Sequence, residues 1–207
     1  NQIRNYTSHI LQLGVIGFMG AEHSVPWFPA WGVRFAAPIE NVFSMVSVIN
    51  EWRNNNRWLL LAFDAAASEI HLWTAWYNLR SNENAGCMVA KTPDTEFLRL
   101  ISGTNQINRA FERAGVSKGD KEAWIVMLPS LKIGEGFGDF SIPIDCYNDS
   151  SEDASKLIEH LGGSLVAKRP TPTSEGLKRI GFFSEISMDS SQMEKAYLSH
   201  MALSDVR

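Results

Sequence analysis

No apolar run in this sequence reaches the roughly 18 residues that a membrane span needs. The nearest, Leu11 to Ala21, is broken by Gly14, Gly17 and Gly20 and lacks a basic region before it, so it reads poorly as a secretory signal. Cysteine is scarce. Cys87 and Cys146 cannot build a disulfide framework and share no metal-ligand spacing, so a reducing cytosol is the natural compartment, with the nucleus added if the source is eukaryotic. A basic excess is also missing: 19 Lys+Arg stand against 23 Asp+Glu, a formal charge of -4, which excludes a global grip on nucleic acid but not a local patch. The five histidines, His9, His23, His71, His160 and His200, lie in separate segments without paired-ligand spacing, which argues against a metal site. No nucleophile elbow, phosphate-binding Walker loop or zincin helix occurs, so no catalytic residues and no cofactor are expected.

What is present is an ordinary globular mixture. The 207 residues are 44% hydrophobic and 20% charged, enough to bury a core without disulfide or metal and too apolar for disorder. That length allows one domain, or one and a half at roughly 150 residues each. The chain opens on Asn1, as expected of a piece of a longer protein.

The pattern of residues predicts the elements. His9 to Phe18 reads as a strand, and residues 22–38, with Pro26, Pro29, Pro38, Trp27 and Trp31, as a rigid aromatic loop. Ile39 to Trp52 has helical spacing and is stopped by Asn54-Asn55-Asn56. Trp58 to Ala62 is a strand covered on both faces, and Ser68 to Arg80 a helix capped by Ser68 and apolar nearly all round, hence central to a core or, as the alternative, covered by a partner. Strands follow at Glu96–Ile101 and Ala123–Leu128, on either side of a helix from Gln106 to Ala114. Thr104 can cap that helix, and Gly115 can close it in the left-handed conformation. Residues 129–150 read as a Gly/Pro-rich stretch, with Ile142 and Ile144 around Pro143 as an edge strand. A helix over Ser151–Leu161, a Pro/Thr linker over residues 167–176 and a last helix over Ser190–Leu203 complete the chain. The expected fold is α/β (α+β): a single domain over residues 1–207 with a small mixed sheet and helices packed against it.

Several chemical features read as ordinary surface. Gly134, Gly136 and Gly138 resemble a fragment of a nucleotide loop but lead into a proline-bearing segment instead of a helix, so a nucleotide-binding regulator or enzyme is only the alternative reading. Glu135 and Asp139 sit in the same loop as a carboxylate pair, and the glycosylation-like Asn5-Tyr6-Thr7 and Asn148-Asp149-Ser150 are accidental in a cytosolic protein. The Ser102-Gly103-Thr104 loop is better. It precedes a helix N-terminus, whose unpaired N–H groups and dipole suit an anion or an RNA backbone, and Gly103 permits a close approach. Lys91, Arg99 and Arg109 are near enough in sequence to add charge. A plain capped turn explains the same residues.

The run from Glu96 through Ile107, followed by Ala110-Phe111 and Gly115-Val116, resembles the kinase-binding (TPRKB-like, CGI family) subunit of the KEOPS/EKC complex. Asn84-Ala85, Phe63-Asp64-Ala65 and the closing Met201-Ala202-Leu203-Ser204-Asp205-Val206 fit the same pattern, so that the likeness covers residues 58–128 and 177–207. Residues 129–176 are longer than the family pattern, as an insertion would be, and the Trp-rich segment before Trp58 is poorly matched. The resemblance implies a noncatalytic subunit that binds the complex's small PRPK-like kinase/ATPase and helps to recruit the tRNA 3′ CCA end for N6-threonylcarbamoyladenosine synthesis. It implies RNA contacts at Lys91, Ser102, Gly103, Thr104, Asn105, Gln106 and Ile107, and kinase contacts at Leu198, Ala202, Leu203 and Val206. Archaeal relatives usually carry Arg before Gln-Ile; here Asn105 replaces a stacking guanidinium with an amide, which implies weaker RNA binding.

Overall fold

A run such as Trp58-Leu59-Leu60-Leu61-Ala62, apolar at every position, is stable only where both sides are covered, and the computed structural model shows how they are. It describes residues 28–132 and 142–205. The strands are β1 (Ala30–Phe35), β2 (Trp58–Ala62), β3 (Glu122–Met127) and β4 (Gly163–Val166), in the order β2-β3-β1-β4. Every pairing is antiparallel, with Leu60 opposite Ile125, Gly32 opposite Trp124 and Val33 opposite Leu165. The α+β class therefore holds, but the sheet is antiparallel rather than mixed.

Strand alternation sends Leu59, Leu61, Trp124 and Val126 to one face, and Trp31, Val33, Leu60 and Ile125 to the other. The first face carries α2 (Glu69–Ala85), α3 (Pro93–Ile101), α4 (Ile107–Ala114), α6 (Ser174–Ile180) and α7 (Ser190–Met201). The second face carries α1 (Val42–Trp52) and α5 (Ile144–His160), through Ile49, Ala154, Leu157 and Ile158. The helix from Glu69 is central to the first layer, and Leu72, Ala75, Trp76 and Leu79 are all buried. Ser68 caps it, accepting from His71 N at 3.1 Å. Among the described residues no helix is long and apolar enough to cross a membrane.

Five expectations need correction. The aromatic stretch 22–38 contains β1, because Pro29 and Pro38 bracket the strand rather than interrupt it. The Glu96–Ile101 segment is not a strand but most of α3: Pro93 occupies the first turn with Asp94 and Glu96, all good helix starters. Ile142–Ile144 forms no edge strand, since Pro143 caps α5 at Ile144. The Pro/Thr linker over residues 167–176 follows β4 directly and holds the start of α6, where the Thr173 hydroxyl accepts from Gly176 N at 3.0 Å. Gly115 does close α4, but in an extended conformation (φ -71°) rather than a left-handed one. The strand expected at residues 9–18 and the glycines at 134–138 lie outside the described residues.

Candidate functional site

α3 ends at Ser102, and Gly103 turns the chain with φ +59°. A side chain at Gly103 would strike the backbone oxygen of His200 at 2.4 Å, so the glycine is required by the packing of the loop on α7. The loop is thus tied down internally. Ser102 and Thr104 are buried; the Ser102 hydroxyl donates to Arg99 O (3.1 Å), and Thr104 Oγ1 accepts from Gln106 N (3.2 Å). Asn105 and Gln106 are exposed and Ile107 is half-buried where α4 begins. Of the predicted RNA residues, it is therefore Asn105 and Gln106, with the first turn of α4, that face solvent here. Lys91 is exposed just before the other end of α3, a nine-residue helix about 14 Å long.

Arg99, expected to add charge near this loop, points inward. Its side chain is fully buried. The guanidinium donates to Glu96 through Nε (3.0 Å) and Nη2 (2.7 Å), and through Nη1 to the carbonyl of Ser204 (2.5 Å). Glu96 also accepts from Ala90 N (2.9 Å) and Asn82 Nδ2 (3.0 Å). Burial pulls its carboxyl up, but these hydrogen bonds, led by Arg99, outweigh that and hold it below its ordinary value.

The other predicted surface is the chain's C-terminal end. α7 starts on a capping box in which Asp189 and Gln192 satisfy each other's backbone N–H groups. Tyr197, His200 and Met201 of α7 enter the core, and a 3₁₀ turn continues over Ala202–Asp205. Ser204 is buried beneath Arg99, whereas Ala202 and Leu203 are exposed, Leu203 by 49%. Leu198 is half-buried on the core, and Val206 lies outside the described residues.

The two predicted surfaces are neighbours. His200 joins them, with Gly103 against its backbone and ring and its Nε2 bonded to Ile180 O at 2.9 Å. Since a carbonyl only accepts, the Nε2 proton points at Ile180. Burial lowers the His200 imidazole from its ordinary value. Sequence reasoning missed both Arg99 as a tail anchor and His200 as the hub. The Glu96/Arg99 spacing of three is a helical-pair signal, hidden by the reading of a strand there.

The fold and this site define a class: a single α+β domain that holds its C-terminal turn in place from beneath and turns that turn's apolar side chains outward. The family model of the kinase binding protein CGI-121 matches residues 39–204, and the chain belongs to that family. No curated protein matches it.

Proposed function

We propose that this chain is a noncatalytic accessory subunit of a KEOPS/EKC-type complex, binding its PRPK-like kinase through Leu198, Ala202, Leu203 and Val206. The supporting observation is the C-terminal turn: Ser204 is buried and held by Arg99, yet Ala202 and Leu203 beside it are exposed. A turn that is fixed from inside and carries outward apolar groups suits a protein groove. The exposed Asn105 and Gln106 at the start of α4 support the second half of the proposal, contact with a tRNA 3′ end for N6-threonylcarbamoyladenosine synthesis. Copurification with the kinase, beside gel shifts on intact and CCA-trimmed tRNA, tests both halves. Capture of the kinase and a shift that trimming weakens are expected; neither one occurring would overturn the reading. Asn105→Arg restores the guanidinium, and tRNA binding should tighten about tenfold if a new phosphate or stacking contact forms.

A further inference from the structure

A buried ion pair is a poor stabilising device, because desolvation offsets most of its attraction. Arg99 and Glu96 nevertheless lie wholly inside, on one turn of α3. Their arrangement has a direction. Glu96 is fixed by Asn82 of α2 and by the Ala90 amide, and it occupies the Nε and Nη2 edge of the guanidinium, neutralising it in place. That leaves Nη1 to hold the carbonyl of Ser204, 105 residues further along the chain. Such a charge-assisted bond ties the 3₁₀ turn to α3 at Ser204. The turn thereby keeps Ser204 inside and Leu203 out.

We propose that Arg99 is a positioning residue for partner docking: it never touches the kinase, but sets the conformation of Ala202–Asp205 in which Leu203 is presented. This rests on the reading that the tail is the kinase surface. Arg99 acts through Ser204, so its loss is felt as weaker affinity and a looser turn. The test uses the full chain and the PRPK-like kinase, with two variants. Arg99→Lys keeps a cation for Glu96, but its single ammonium cannot reproduce the three-way fork. Glu96→Gln/Arg99→Met removes both charges together, so that no unpaired charge is left buried. Thermal melting, hydrogen exchange over residues 199–205 and calorimetric affinity are measured for each, with Leu203→Arg alongside. Cooperative melting is expected, with faster exchange confined to Ala202–Asp205 and kinase affinity weakened about tenfold or more. A folded variant with a loosened turn and unchanged affinity would overturn the proposal, as would a turn that stays protected. Unfolding of both variants would overturn it too, by making Arg99 a core strut. If Leu203→Arg binds normally, the tail surface itself is wrong; if Leu203→Arg fails to bind while the Arg99 variants bind normally, only the positioning role is wrong.

Discussion

His71 is wholly buried; its Nδ1 accepts from Ala67 N at 3.3 Å, and its Nε2 has no hydrogen-bond partner among the described residues. Burial, with a smaller contribution from His200, lowers it from 6.5 to about 3. The folded state therefore keeps this ring neutral where the unfolded chain takes up a proton. Stability contributed by the neutral ring is complete above the unfolded value and is lost as the pH falls below it, by about 2 kcal/mol between pH 7 and 5. Urea unfolding at the two pH values should show this loss, and His71→Leu should show less of it. Asp64 and Glu69, raised chiefly by burial, act in the opposite sense in both proteins and cancel in the comparison. An equal pH dependence in the variant would contradict the assignment. Gly103 makes a second residue-scale case. Its importance is legible in the sequence, since a glycine before a helix start marks a special conformation, but the reason is not, because His200 lies almost a hundred positions away. Gly103→Ala combines a left-handed backbone with a clash against His200 and should cost about 2 to 4 kcal/mol, measured by chemical denaturation. A loss of RNA binding in any Gly103 variant must therefore be read together with its stability.

Among the elements, those whose burial is symmetrical were the easiest to read. β2, β3 and the helix from Glu69 show continuous apolar runs or a clear cap, and their boundaries fall within a few residues of expectation. The segment at Glu96 misled because a short segment buried on every side looks alike in helix and strand; only Pro93 and the acidic first turn decide it. The start of α6 was hidden in a Pro/Thr stretch, yet the helix is tightly built into the first layer. The Tyr197 hydroxyl donates to Asp64 O (2.8 Å) and Thr173 O (3.3 Å), and burial pushes that phenol up to about 12. A side chain at Gly176 would overlap Asp64 O and the Tyr197 hydroxyl at 2.0 Å. Gly176→Ala should accordingly loosen α6 against α7 and cost roughly 1 to 3 kcal/mol, visible as a lower melting temperature. An unchanged melting temperature would mean that the two helices pack less closely than described.

At the scale of the whole molecule, the sheet separates two helical layers, and both predicted surfaces arise on the same one, where α3, α4, α6 and α7 meet. That convergence could not be read along the chain, because it depends on Arg99 reaching Ser204 and on Gly103 meeting His200. The tail itself was legible, as apolar residues at a chain end, but not the division of labour within it between a buried serine and an outward leucine. Because Leu203 is half-exposed, Leu203→Arg should leave stability within about 0.5 kcal/mol of the parent. At a kinase interface the same change buries an unpaired charge and should cost several kcal/mol of affinity. The most direct measurement is a calorimetric titration of the PRPK-like kinase with the parent chain and with Leu203→Arg, each checked by circular dichroism. If the tail is the docking surface, the folded variant shows no measurable heat of binding where the parent saturates. Binding by the folded variant with the parent's affinity would contradict it and place the kinase on another face.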